Sequence, residues 1–240
     1  MKLQEMLEKS VWGRNLSSAE LARVIAECRE RSVAAGQAMV RMGEPAEHWM
    51  GLISGFGKMS IYSPGGRETT LLGIAPGGWF GEGTLIKRGH WQYDGVAMRD
   101  SRLALMPRET FEWLRNTSLP FNHYLQGLMN ARMGCFIAQL SNARLLDSTE
   151  RVARSLAALF NPELYPQPGP FLDLRQSEVG QLAGVSRQRA NAALQKLEAV
   201  GLLAVRRRGI EVLDLQGLRD FSSPAQRPAS AAITTPALAS

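Results

Sequence analysis

The chain has little of what metal, redox and hydrolytic chemistry requires. Its 240 residues include two cysteines and three histidines. Cys28 and Cys135 are far apart and belong to no C-x-x-C or cluster, which excludes an iron–sulfur site and a disulfide framework. Each falls within a helical pattern and reads as a buried thiol. His48, His90 and His123 are solitary, with no H-x-H pair, so neither a cupin-type metal centre nor a haem ligand is indicated. There is no G-x-S-x-G, and Glu44, Glu47 and Glu82 show no acid–base partner. An enzyme is therefore not expected, nor is a metal or cofactor. No apolar run approaches the roughly 20 residues of a membrane span, and the opening MKLQEMLEKS lacks the apolar centre of a signal peptide. The expected setting is the reducing cytoplasm, with no membrane partner.

What the chain does have is basic charge gathered near one motif. The formal net charge is +6. Between Ser186 and Gly209 stand six basic residues, Arg187, Arg189, Lys196, Arg206, Arg207 and Arg208, against one acid, Glu198. The preceding residues, QSEVGQLAGVSRQRANAALQKLE from Gln176, have the spacing of a helix-turn-helix. Val179, Leu182 and Ala183 make one apolar stripe, Gly184 sits where the chain must turn sharply, and Ser186 is placed to cap a second helix. On that helix Ala190, Leu194 and Leu197 share a face, so Gln188, Asn191, Ala192 and Gln195 point away from the core. Arg187 leaves one flank, and Arg189 and Lys196 the other. A face of Arg, Gln and Asn suits the donor and acceptor pattern of base edges. Gly201 closes the helix. Leu202–Val205 and Ile210–Leu213 then read as a hairpin whose turn, Arg206 to Gly209, is basic, as a phosphate-facing wing would be.

The first half reads differently. Ser17 and Ser18 precede an amphipathic helix carrying Leu21, Val24 and Ile25. Short apolar runs follow at 38–41, 49–54, 58–62, 69–74, 95–98 and 103–106, with a Ser63-Pro64-Gly65-Gly66 hairpin turn. The pattern predicts a β-sandwich or roll, ended by Pro107 and a short helix over 108–116. From Pro120 to Asp147 the chain reads as one long helix. Met129, Met133, Phe136, Leu140 and Ala143 recur at spacings of 4, 3, 4 and 3, a seam about two heptads long that predicts a parallel homodimer. Leu125, Leu128, Arg132 and Ile137 are left to face the roll.

A β-roll, a long dimer helix and a winged helix-turn-helix, in that order, resemble the Crp/Fnr family of bacterial transcription regulators, most specifically in GGWFGE and QSEVGQLAGVSRQRANAALQKLEAVGLL. The resemblance covers about residues 15–221 and implies an α+β fold. Its parts are a sensor roll over 15–118, a dimerisation helix over 119–146, a DNA-binding unit over 147–221 and a disordered tail over 222–240. Implied partners are double-stranded DNA, a second copy of the chain and RNA polymerase, the last through a loop near the proline-rich stretch 161–170; activation is the expected mode. By the same resemblance Ser186 contacts phosphate and Arg187 a guanine. Gln188 and Ala192 depart from the best-known members, so the half-site should differ from theirs.

The effector site departs most. Members that bind cyclic nucleotides carry a Gly-Glu turn for the ribose and, about ten residues on, an Arg-Ser or Arg-Thr pair for the cyclic phosphate. Gly81 and Glu82 match the turn, but Trp91-Gln92-Tyr93 stands in place of the pair, and Lys87 and Arg88 come too early. Phe136 and Ile137 occupy the positions of adenine-contacting hydroxyls. A buried phosphate without its guanidinium loses on the order of several kcal/mol, so cyclic AMP is not expected to bind tightly. An unidentified effector in the roll, a cyclic dinucleotide at its surface and no ligand at all remain open. The alternative functions are a cyclic-AMP-responsive regulator with a divergent pocket, and a ligand-binding or cupin-like module without DNA function.

Overall fold

The computed structural model describes residues 1–166 and 169–222. Helix α1 (Leu3–Lys9) and a 3-10 turn (Gly13–Asn15) precede α2 (Ser18–Glu27). Ser17 and Glu20 cap α2 reciprocally, each side chain taking the other's amide. The roll follows as β1 (Arg29–Val33), β2 (Ala38–Val40), β3 (His48–Ser54), β4 (Gly57–Tyr62), β5 (Glu68–Ile74), β6 (Trp79–Phe80), α3 (Glu82–Ile86), β7 (Asp94–Ala97) and β8 (Ser101–Pro107). The eight strands form two antiparallel sheets, in orders β1-β8-β3-β6 and β2-β7-β4-β5. The Ser63–Gly66 turn closes the β4–β5 hairpin, with Tyr62 opposite Glu68 and Gly66 at positive φ. Leu52, Ile53, Met59, Leu72, Ile74 and Leu103 fill the space within the roll.

The roll begins earlier than expected. Met6, Leu7 and Trp12 lie before residue 15 yet are fully buried. The Trp12 ring lies 5.5 Å from Trp49, 5.2 Å from Trp79 and 5.7 Å from Phe121. One face of the β3 sheet would otherwise expose two indoles, and the N-terminal arm covers them. Cys28, expected within a helix, instead caps α2 and is buried at its end.

Helix α4 (Arg108–Thr117) leads into α5 (Leu119–Leu145), where Pro120 occupies the first turn without losing a hydrogen bond. At 27 residues α5 is about 40 Å long. Phe121, Leu125 and Leu128 bury one side against the roll. Met129, Met133, Phe136 and Leu140 lie on another side, exposed by 38%, 57%, 38% and 55%. Ile137, expected to face the roll, does not: it is 59% exposed, because nine residues on from Leu128 it stands about 180° round the helix from that buried side.

Asp147 caps α6 (Ser148–Ala158). Beyond it come β9 (Phe171–Leu172), α7 (Gln176–Ala183), α8 (Arg187–Ala199), β10 (Leu203–Arg206), β11 (Gly209–Val212) and α9 (Leu215–Asp220). Strand β9, too short to show a pattern in sequence, completes a β10-β11-β9 sheet. Val152, Leu156, Val179, Leu194, Leu197 and Leu218 form the core of this unit. The stretch after α6 is not simply an exposed loop. Leu164 and Tyr165 are buried, and the Tyr165 hydroxyl donates to the Gly73 carbonyl on β5. A Cβ at Gly73 would meet Leu159 at 2.7 Å, so glycine allows β5 and the DNA-binding unit to touch. The tail expected to be disordered lies, apart from Ser222, outside the described residues.

Candidate nucleic-acid interface and effector cavity

Helix α7 ends at Gly184, whose φ of 62° is a left-handed conformation that glycine adopts without strain. Four residues before it, Gly180 keeps α7 and α8 close. A Cβ there would stand 3.0 Å from the Val185 carbonyl and 3.4 Å from the Ala190 methyl. Ser186 has extended backbone, and its hydroxyl accepts from the Arg189 amide at 3.3 Å, fixing where α8 starts. Ala190, Ala193, Leu194 and Leu197 are buried; Ala193 belongs to the same stripe, though sequence reading had passed over it. Arg187, Gln188, Arg189, Ala192, Gln195 and Lys196 are exposed, and Asn191 is half-buried on the same outward side.

The wing is tighter than expected. Arg206 pairs with Gly209 across the hairpin, so Arg207 and Arg208 alone form the turn. Arg206 lies on the strand, where its guanidinium meets the Glu211 carboxylate at 2.7 Å. The charge it offers a ligand is correspondingly reduced. Arg175, Arg187, Arg206, Arg207 and Arg208 line one cleft of about 730 Å³ between wing and helix pair. The single acid on its wall, Asp173, is held by Arg99 at 3.1 Å.

Arg99 has no motif around it and was not legible as a site residue. It lies on the roll, between β7 and β8, and its guanidinium donates to both oxygens of Glu178 on α7, at 2.8 and 2.7 Å. Both side chains are mostly buried. The hydrogen bonds to Glu178 come first among the causes that hold Arg99 firmly charged. A second polar link joins Lys58 of β4 to Gln181 of α7 at 3.2 Å.

The Gly-Glu turn lies at the other end of the roll. Gly81 has a φ of 98°, and Glu82 is 3% exposed. Arg132 of α5 reaches across: its Nε donates to Glu82 Oε1 at 2.8 Å and its terminal nitrogen to the Trp79 carbonyl at 2.7 Å. Burial works against the Arg132 charge, and the Glu82 carboxylate more than restores it. Glu82 Oε2 has no hydrogen-bond partner among the described residues. A cavity of about 530 Å³ opens here, with Glu82, Lys87, His90, Tyr93, Arg132 and Phe136 on its wall. Ile137 is not among the lining residues, which corrects its placement in this pocket. Trp91 is buried against Gly81, where any Cβ would strike its ring at 2.3 Å. That Arg132 sits on the roll-facing stripe of α5 was legible; that it ends on Glu82, fifty residues earlier, was not.

Among the described residues no group of three or more His, Cys, Asp or Glu is placed to hold a metal, and no helix is long and apolar enough to cross a membrane. A roll with an open cavity at the Gly-Glu turn, joined by a long helix to a winged helix-turn-helix with a basic cleft, is the architecture of a DNA-binding transcription regulator. Residues 30–118 match the cyclic nucleotide-binding domain and residues 150–221 the Crp-like helix-turn-helix domain. The chain belongs to the Crp/Fnr family of transcription regulators. It is 28% identical to the cyclic AMP receptor protein of Thermus thermophilus over 69% of this chain and 76% of that protein. It is 26% identical to the cAMP-activated global transcriptional regulator of Pasteurella multocida over 78% and 91%. Among solved structures, FixK2 from Bradyrhizobium japonicum superposes with a TM-score of 0.69 over 82% of this chain and 98% of that one, at 18% identity, a likeness of fold. The c-di-GMP responsive regulator CLP of Xanthomonas campestris superposes at 0.60 over 82% and 99%, at 27% identity.

Proposed function

We propose that the protein acts as a homodimer, joined along α5, that binds an inverted-repeat promoter site and activates transcription. The observation that carries this reading is the pairing of an outward α8 face, Arg187, Gln188, Asn191 and Gln195, with an apolar α5 seam that stays exposed among the described residues. A two-fold axis along α5 repeats α8 in a second copy, so half-sites should lie about one helical turn, roughly 34 Å, apart. Ser186, Arg189, Lys196, Arg207 and Arg208 then serve phosphate contact, with Arg206 contributing less. Pro162 and Glu163, exposed where Leu164 and Tyr165 are anchored, offer the surface for RNA polymerase. Binding-site selection with the purified protein tests the reading: an inverted repeat supports it, and a single asymmetric half-site overturns it.

In this proposal the 530 Å³ cavity is an effector pocket built on Glu82 and Phe136 that does not take cyclic AMP tightly. Its one guanidinium, Arg132, is already committed to Glu82 and the Trp79 carbonyl, and Trp91 fills the space beside Gly81. The names of the two relatives favour the opposite reading, a cyclic-AMP-responsive regulator in which Lys87 or Arg132 meets the phosphate. Calorimetry with cyclic AMP at tens of micromolar decides between them: no saturable heat is expected, and sub-micromolar binding abolished by Glu82→Ala restores the second.

A further inference from the structure

A separate cavity, of about 450 Å³, lies where β5, α5, α6, α7 and α9 meet. Its wall takes in Leu72 from the roll, Ala138 and Gln139 from the long helix, and Leu159 and Leu182 from the DNA-binding unit. It is therefore formed by all three parts of the molecule at once. The volume is in the range of small-molecule sites, which run from about 300 to 1,000 Å³. Most of the wall is apolar, but two arginines, Arg154 of α6 and Arg219 of α9, line it, and no acidic residue does. Neither guanidinium forms an ion pair among the described residues. Each makes only a 3.5 Å contact to a carbonyl, that of Phe221 for Arg154 and that of Phe160 for Arg219. At that distance the hydrogen bond is marginal, so both keep donors to offer.

We propose that this junction is a second effector site, distinct from the pocket around Glu82, and that it takes an amphiphilic organic monoanion. A carboxylate or sulfonate meets Arg154 and Arg219, while the hydrocarbon or aromatic body lies against Ala138, Leu159 and Leu182. Arginine suits the head group because it stays charged and offers several donors to a planar anion. A ligand here touches the roll through the β5 backbone at Leu72 and Gly73, and the DNA-binding unit through both arginines. It therefore favours the relative placement of the two in which both contacts are made. The ligand chemistry stands on the cavity alone; its effect on DNA binding rests on the function proposed above.

Decanoate is the probe, kept below its micelle concentration and titrated calorimetrically into the full chain, with decanol as the uncharged control. One saturable event per chain is expected, with decanol at least tenfold weaker. Arg154→Gln with Arg219→Gln should weaken decanoate at least tenfold, and Ala138→Trp, which fills the cavity, should abolish binding. Lys87→Gln, in the other pocket, should leave it unchanged. Circular dichroism melts establish that each variant is folded; should the double variant fail to fold, the two single arginine variants carry the comparison. Equal binding of decanoate and decanol, binding untouched by the arginine changes, loss with Lys87→Gln, or no saturable heat with the parent protein would each overturn the proposal. If decanoate binds as expected while no DNA site is selected, the site stands and the regulatory reading falls.

Discussion

At the scale of the residue, the proposed DNA complex gives the basic side chains near α8 distinct tasks. Arg187 stands at the exposed start of α8, where a guanidinium can meet O6 and N7 of guanine, and Gln188 beside it can meet N6 and N7 of adenine. Arg207 is one of two residues at the wing tip and offers charge without base readout. Arg187→Ala should therefore relax preference at one base pair per half-site, by about 1–3 kcal/mol. Arg207→Ala should weaken all sequences alike and flatten the salt dependence by about one phosphate contact per subunit. Site selection and a salt titration on both variants check this; a uniform loss for Arg187→Ala with an unchanged motif would place the wrong residue in the groove. Gly184 is under a different constraint. Its left-handed backbone costs an L side chain about 1–2 kcal/mol, and an added Cβ would also press on the Arg151 guanidinium at 2.8 Å. Gly184→Ala should lower stability by that amount in denaturant melts and leave the selected DNA motif intact; an unchanged midpoint would count against the turn geometry.

At the scale of the element, α5 has two working sides about 100° apart. One buries Phe121, Leu125 and Leu128 and sends Arg132 to Glu82; the other leaves Met129, Met133, Phe136 and Leu140 in the open. Phe136 sits at the border, lining the cavity beside Glu82 while remaining 38% exposed, so a partner helix packed on the proposed seam would also touch that cavity. Phe136→Asp should bury an unpaired carboxylate at the seam and yield monomers in sedimentation. A variant that still sediments as a dimer would show that the seam lies elsewhere. The reach of sequence reading is plain in this helix and its neighbours. A 27-residue span, the αL turn at Gly184 and the cap at Ser186 were legible because each depends on local chemistry. Strand β9 and the N-terminal arm were not. Two residues of strand carry no period, and Trp12 gives no sign in sequence that Trp49 and Trp79 lie across from it. Ile137 belongs to neither buried side: nine residues on from Leu128 it stands about 180° round the helix from it, and its apolar character alone had suggested burial.

At the scale of the whole molecule, the question is what holds the roll and the DNA-binding unit in one arrangement. The apolar contact runs along β5 and the turn after it, with Gly73 against Leu159 and Leu182, Gly78 against the Tyr165 ring and Gly77 beside Pro166, and the Tyr165 hydroxyl tied to the Gly73 carbonyl. The polar contact is more specific. Arg99 grips Glu178 through both carboxylate oxygens and takes Asp173 as well, and Lys58 reaches Gln181. Glu178 also caps α7 by accepting the Arg175 amide, so the roll holds the helix-turn-helix at the end that borders the basic cleft. The pair is partly shielded from solvent, and the hydrogen bonds are charge-assisted. Its coupling energy should therefore exceed the few tenths of a surface ion pair and fall at about 1–3 kcal/mol. A double-mutant cycle on Arg99→Ala and Glu178→Gln measures it directly, because the capping role of Glu178 is the same in both halves of the cycle. Beyond the energy, Arg99→Ala should separate the melting of the two units. The parent should unfold in one transition by roll tryptophan fluorescence and by helical circular dichroism; the variant should show two. Four of the five tryptophans, Trp12, Trp49, Trp79 and Trp91, are buried in the roll, so the fluorescence reports that unit, while the helical signal draws on both units and on α5 and so follows the DNA-binding unit as well. Additive single-variant effects, with one coincident transition in every protein, would mean that Arg99 decorates the interface and that the apolar contact holds the roll to the DNA-binding unit without it.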